Sequence, residues 1–226
     1  MLSMPALCWL CRLPLQMAQH GLCTPCMRQL PALPLLCPRC GLPAANMRQP
    51  CGRCLQKPPA WQALICVNSY RPPFSLWVNQ LKFSRVTALR VMLARLLLLS
   101  WLNVYRRGNL PRPDLLLSVP LHRRRRWQRG YNQTDLLAAP LAHWLGCEWG
   151  TGLHRQRQGA LQHQLNARQR RSNLRGAFRL EMAVRGRHIA LLDDVVTTGS
   201  TTEEISRLLL AQGAASVQVW CLCRTL

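Results

Sequence analysis

Apolar residues fall along the chain in two rhythms. Short, nearly unbroken runs, ALICVNSY at 63–70, LLLSV at 115–119, HIALL at 188–192 and SVQVWCLC at 216–223, have the length of strands buried on both faces. Longer stretches between them carry helical spacing. After the turn-like RPPF at 71–74, Leu76, Leu81, Leu89, Leu93, Leu96 and Leu97 recur with Arg85, Arg90 and Arg95 among them, which predicts one long helical pattern. A second helix is expected to start near Asn132 or Thr134 and stop at Gly146, and a third, EEISRLLLAQG, to end at Gly213. Strands alternating with helices give the order of an α/β fold with a parallel sheet. Residues 154–175 break the rhythm: six arginines, no acid and few large apolar groups predict an exposed or mobile segment there.

The 226 residues, 49% of them hydrophobic, suffice for one such domain and a small appendage. The appendage is expected at the N-terminus, where residues 1–60 hold no acid, are rich in cysteine and proline, and end in QKPPA. That composition break places a boundary near residue 60, with 61–226 as the α/β domain. The apolar stretch from Leu89 to Leu102 is interrupted by Arg90 and Arg95 and is too short to cross a bilayer. MLSMPALCWLCR lacks the basic start of an export signal, so a cytoplasmic protein is expected.

Eight of the twelve cysteines form four C-x-x-C pairs: Cys8/Cys11, Cys23/Cys26, Cys37/Cys40 and Cys51/Cys54. Each pair can point two thiolates at one tetrahedral metal, and a second pair some ten residues later completes a sulfur-only set that suits zinc. A disulfide framework needs an oxidising compartment for which no export signal speaks, and redox or iron–sulfur chemistry is the remaining alternative. Spacing leaves open whether the pairs close sequentially or interleaved, sequential closure being simpler. Cys66, Cys147, Cys221 and Cys223 lie in apolar contexts and read as core residues.

A net charge of +22 and a pI near 11.3 favour a polyanionic or phosphorylated ligand. Only two of the thirty bases are lysine, so compositional bias accounts for part of the arginine excess. The acids are more telling, because four of the eight fall within LLDDVVTTGSTTEE at 191–204. An apolar strand ends in Asp193 and Asp194, passes through Thr197, Thr198, Gly199, Ser200 and Thr201, and enters a helix whose start is marked by Ser200-x-x-Glu203, a capping-box spacing. Helix N-terminal N–H groups with hydroxyls and a glycine suit a phosphate, while acids at a strand end suit sugar hydroxyls or magnesium.

From Ile189 to Thr201 the chain resembles the 5-phosphoribosyl-1-pyrophosphate (PRPP) motif of type I phosphoribosyltransferases. With LKF at 81–83, VPLHRRRRWQRGYNQTDLLA at 119–138, the arginine-rich segment after it and the four C-x-x-C pairs, nearly the whole chain is similar to the ComF/GntX family. The resemblance implies a double zinc ribbon joined to a type I phosphoribosyltransferase-like sheet, with a role in the uptake or use of external DNA. By it, Asp193 and Asp194 bind ribose hydroxyls, Thr197, Thr198, Gly199, Ser200 and Thr201 hold the 5-phosphate, VPLH is the pyrophosphate loop, and 154–175 is a flexible hood. Magnesium would accompany PRPP, and Arg123, Arg129, Arg168 and Arg171 are candidates for steadying the leaving group, with Arg129 grouped with Asp193 and Asp194 as catalytic. Purine enzymes of this class carry an aspartate where this chain has Thr197, which disfavours a 6-oxopurine acceptor.

Two functions are therefore expected in competition. One is magnesium-dependent phosphoribosyl transfer. The other is non-catalytic handling of single-stranded DNA, alone or with DNA-uptake machinery, because residues 120–175 hold eleven arginines against Asp135 and Glu148, with Trp127 and Tyr131 among them as stacking candidates.

Overall fold

The computed structural model describes residues 6–108, 110–121, 127–156 and 176–226. The strands are β1 (Ala63–Ser69), β2 (Leu115–Ser118), β3 (Glu148–Gly150), β4 (Leu153–Arg155), β5 (Phe178–Leu180), β6 (His188–Val196) and β7 (Ser216–Arg224). The helices are α1 (Thr24–Arg28), α2 (Gly52–Gln56), α3 (Phe74–Phe83), α4 (Leu89–Tyr105), α5 (Gln133–Leu145) and α6 (Ser200–Ala211). Five strands form a parallel sheet in the order β1-β7-β6-β2-β3, and β4 pairs with β5 in a separate antiparallel ribbon. This is the expected α/β class, a parallel sheet flanked by helices.

Burial explains the strand runs. Leu115, Leu116 and Leu117 are fully buried, as are Ile189 to Leu192, because helices or other cover lie over both faces of the central strands. On one face α3, α4 and α5 pack through Phe74, Leu81, Leu93 and Leu141 onto Leu116, Ala190 and Trp220. On the other, α6 and the β4/β5 ribbon pack through Ile205, Leu209 and Phe178 onto Leu117, Leu191 and Val219. Cys66, Cys221 and Cys223 are buried as expected of core residues, and Cys147 is half-buried. Burial pushes the Cys66 thiol up to about 11 and the Cys223 thiol up to about 12, so both stay protonated.

The long helical pattern is two helices. Ser84 to Ala88 separate α3 from α4, with Arg85 at φ 54, so the leucines after the break restart on a new axis. Leu81, Leu89, Leu93 and Leu97 are fully buried, whereas Leu76 is 56% exposed, on the side of α3 away from Trp77, Val78 and Leu81. The helix at 133–145 is as the caps require: Asn132 accepts the Thr134 N–H, and Gly146 closes the end at φ 58.

The cysteine-rich segment wraps the open edge at β1. Its first half joins the α4 side, where Cys8, Leu22 and Cys26 pack with Met92, and its second half reaches the other face through Leu33 and Leu36. The outward N–H of Leu64 donates to Pro38 O at 3.0 Å, so the ribbon satisfies an edge-strand donor that water would otherwise hold.

Candidate functional site

The sheet order itself marks a site. From β2 the chain runs through α5 to β3 on one side, and from β6 it runs through α6 to β7 on the other, the two helices lying on opposite faces. Loops therefore diverge between the carboxyl ends of β2 and β6, the position at which open parallel sheets leave a ligand crevice. Asp193, Asp194 and the hydroxyl loop follow β6 there, and the loop from Val119 follows β2.

Strand alternation sends the two carboxylates to opposite faces. Asp194 is 6% exposed and is gripped from two helices: Lys82 Nζ of α3 lies 2.7 Å from Oδ1, and Gln133 Nε2 of α5 donates to Oδ2. Arg129 continues the chain, donating to Gln133 Oε1 at 2.9 Å while its guanidinium lies 4.8 Å from the Phe83 ring centre. Asp193 is half-buried and accepts the Asp194 backbone N–H at 2.8 Å. Burial, and then the negative charge of Asp194, push its carboxyl up to about 7, against the pull of that N–H and of Lys82.

The hydroxyl loop is compact. Thr198 and Ser200 share a hydrogen bond at 2.8 Å between their hydroxyls, Thr202 Oγ1 donates to Gly199 O at 2.9 Å, and Gly199 adopts φ 77. That left-handed turn lets the first turn of α6, whose N–H groups lack intrahelical acceptors, face the crevice. The expected capping box is not formed. Gly199 is the N-cap, and the Glu203 carboxylate accepts the Ala60 N–H at 3.0 Å and pairs with Arg207 at 2.8 Å instead of turning back to the loop.

The neighbouring loop is pinned where it leaves β2. Val119 N donates to Leu192 O at 2.8 Å, and Asn132 Nδ2 donates to Val119 O at 3.1 Å. A cavity of about 460 Å³ opens beside it, and the buried hydroxyl of Ser118 on its wall has no hydrogen-bond partner among the described residues. The cavity wall takes in Pro120 and Leu121 of the expected pyrophosphate loop but none of Asp193, Asp194, Thr197, Thr198, Gly199, Ser200 or Thr201, which follow one another from the end of β6 into α6; Arg129 reaches Asp194 through Gln133. His122, Arg123, Arg168 and Arg171 lie outside the described residues, as does most of the expected hood at 154–175, whose first residues, His154 and Arg155, belong instead to strand β4. Lys82 and Gln133 lie in the LKF and 119–138 segments that carry the family resemblance, but the sequence assigns neither a role at the site. Lys82 carried a signal, being one of two lysines among thirty bases.

The cysteines close sequentially. Cys8, Cys11, Cys23 and Cys26 form one cluster and Cys37, Cys40, Cys51 and Cys54 another, with the four sulfurs of each within 4.8 Å of one another. Cys11 and Cys23 sulfurs lie 3.7 Å apart, as do those of Cys40 and Cys51, close to the edge of about 3.8 Å that four Zn–S bonds of ~2.3 Å give a tetrahedron. Backbone N–H groups of Cys23 and Cys51 point at Cys8 and Cys37 sulfur, at 3.4 and 3.2 Å. Burial raises the Cys8 thiol, but the Cys11, Cys23 and Leu10 N–H groups outweigh it and bring it down to about 6. Burial and the neighbouring sulfurs push Cys26 up to about 12. Four thiolates so close require a cation, and both sets fit structural zinc, with no open position for a substrate.

The two cysteine sets have a counterpart among known protein families. The double zinc ribbon domain family matches residues 2–55. DNA utilization protein YhgH of Salmonella typhi is 57% identical over the full length of both chains, and that of Escherichia coli K12 is 55% identical over the same span. Competence protein F of Haemophilus influenzae is 38% identical over 96% of each chain. Among solved structures, glutamine PRPP amidotransferase of B. subtilis is similar over 63% of this chain and 30% of its own, at 20% identity and TM-score 0.42. Hypoxanthine-guanine phosphoribosyl transferase of L. donovani is similar over 61% and 70%, at 21% identity and TM-score 0.35. Among the described residues no helix is long and apolar enough to cross a membrane.

Proposed function

The chain belongs to the family of DNA utilization protein YhgH and competence protein F, and we propose that it binds PRPP or a related phosphoribosyl ligand in the service of DNA utilisation. The observation that carries this reading is the pairing of a clamped carboxylate, Asp194 with Lys82 and Gln133, with a left-handed glycine turn and a helix N-terminus at the switch point of the sheet. An acid pair there accepts ribose hydroxyls, and the Thr197–Thr201 loop donates N–H and O–H groups to the 5-phosphate.

The residues divide the work. Lys82 and Gln133 fix Asp194 before any ligand arrives, so its orientation costs no entropy on binding. Asp193 is the more accessible acid and is the one free to exchange its environment for a sugar hydroxyl. Arg129 is placed to steady Gln133 and to present positive charge at the rim. Among the described residues the two cysteine sets are the only groups of three or more metal-type ligands; Asp193 and Asp194 are the acids that would face magnesium bound with PRPP, and the ion would supply positive charge against the pyrophosphate. On this reading the zinc sites are structural.

Calorimetric titration with Mg–PRPP is the test. Wild type should bind, and Asp193→Asn with Asp194→Asn should lose binding while zinc content and circular dichroism stay those of the wild type. Absence of binding by folded, zinc-loaded wild type overturns the reading. A second reading, direct binding of single-stranded DNA without transfer chemistry, is favoured by Trp127 at 87% and Phe83 at 68% exposure close to Arg129 in sequence or space.

A further inference from the structure

The second cysteine cluster and the hydroxyl loop are joined through three residues that belong to neither. Arg224, the last residue of β7, is 5% exposed and sits between them. Its Nε donates to Cys40 O at 3.1 Å, and its Nη1 donates to Val196 O at 3.0 Å, Thr225 O at 3.1 Å and Thr197 O. A single guanidinium thus holds the C-x-x-C turn and the start of the loop. Trp61 makes a second tie: its indole N–H donates to Arg39 O, inside the Cys37–Cys40 turn, at 2.6 Å. Its ring backs Gly199, where an added Cβ would come within 3.0 Å of the indole. Ala60 N, donating to Glu203, makes a third.

These contacts are conditional on one another. A buried guanidinium is tolerated only while carbonyl oxygens surround it, and its burial already lowers its basicity. If the turn at Cys40 moves, Arg224 must follow it or lose an acceptor, and following it abandons Val196 and Thr197. The first cluster has different neighbours, since its Gly21 and Leu22 pack on Met92 of α4.

We propose that Arg224 and Trp61 are positioning residues that transmit the folded state of the second cysteine ribbon, and not of the first, to the loop at 197–201. Metal held by Cys37, Cys40, Cys51 and Cys54 then sets the conformation of the anion site on the other side of Arg224. The identity of the loop's ligand rests on the phosphoribosyl reading; the coupling does not.

Amide hydrogen exchange on peptides spanning 194–203, with zinc content measured in parallel, tests it in the full chain. Arg224→Lys, which keeps the charge and removes the fork, and Trp61→Phe, which keeps an aromatic side chain but removes the N–H and the ring edge that backs Gly199, should each speed loop exchange about tenfold or more, the scale of at least one lost hydrogen bond, with both metals retained. Peptides from the middle of β6 should be unchanged, which separates positioning from general destabilisation. Cys40→Ser should speed loop exchange and Cys11→Ser should not. Unchanged loop exchange in Arg224→Lys and Trp61→Phe overturns the proposal, as does equal acceleration by Cys11→Ser; if Cys40→Ser does not fold, the first two variants decide alone. Titration of the same proteins with ribose 5-phosphate should show parallel weakening. Wild type that binds neither this nor PRPP would refute the ligand, while the exchange data would still judge the coupling.

Discussion

Two adjacent aspartates of identical chemistry have been given different environments. Asp194 has a lysine and an amide, and Asp193 has little beyond one backbone N–H and the repulsion of its neighbour. Folding raises the Asp193 carboxyl from its ordinary 3.8 to about 7, so the protonated form stabilises the fold. That contribution is fully present below the ordinary value and is lost as pH rises through about 7. Asp193→Asn removes the penalty, so its melting temperature relative to wild type should climb between about pH 4 and pH 7 and level off above. Thermal melts of both proteins across that interval measure it, and a difference independent of pH would show that the carboxyl titrates normally in the folded chain. At this scale the sequence was legible where chemistry is contiguous, from Asp193 to Thr201. It was not legible at Lys82 and Gln133, which come from separate helices and meet Asp194 only because the sheet order brings α3 and α5 over β6. The Ser200 to Glu203 spacing misled because a carboxylate at that position had a better donor in Ala60, 143 residues away in sequence.

Among the elements, apolar runs located β1, β2, β6 and β7, since strands buried on both faces leave an unmistakable pattern. β3, β4 and β5 have three residues each, too few for any periodicity to register. The break between α3 and α4 was hidden because leucines continue on both sides of it, and only Arg85 in a left-handed conformation turns the chain. The cysteine ribbons were read correctly as metal sets, but how each docks depends on close approach that spacing does not encode. Gly21 is the instructive case. It has φ 68, and a Cβ there would overlap Cβ and Cγ of Met92 on α4, so the first ribbon reaches the helix only because glycine leaves room. Gly21→Ala should cost roughly 2–4 kcal/mol from overpacking and a disfavoured backbone, and should speed release of one zinc of two. Gly52→Ala, at the start of α2 with nothing within 4 Å, should change stability by less than about 0.5 kcal/mol. Urea unfolding and zinc release to a chromogenic chelator compare them; equal effects at the two glycines would refute tight docking of the first ribbon.

For the molecule as a whole, eight acids cannot neutralise thirty bases, and six of the eight are already engaged internally by bases or by distant backbone N–H groups. Lys82, Arg179, Arg187 and Arg207 take Asp194, Glu181, Glu148 and Glu203, while Asp114 and Glu204 accept backbone N–H groups of His188 and Gly176. The resulting field acts outward and favours polyanions at long range whatever the crevice binds. If single-stranded DNA is a ligand, an oligothymidine should bind with a log–log salt slope near −0.7 per phosphate contact, about −3.5 for five contacts. Trp127→Ala should weaken binding by roughly 1–3 kcal/mol with the slope unchanged, because a stacked base contributes no counterions. Replacing Arg123 to Arg126 with alanine should instead flatten the slope. Fluorescence anisotropy over a salt series separates the two effects, and undetectable binding at low salt would remove DNA as a direct ligand. Adding Mg–PRPP to the same titration then relates the two proposed ligands. The exposed Phe83 ring lies against Arg129, which is linked to Asp194 through Gln133, so PRPP should weaken DNA binding if both ligands engage these residues; independent affinities would place the DNA elsewhere on the basic surface.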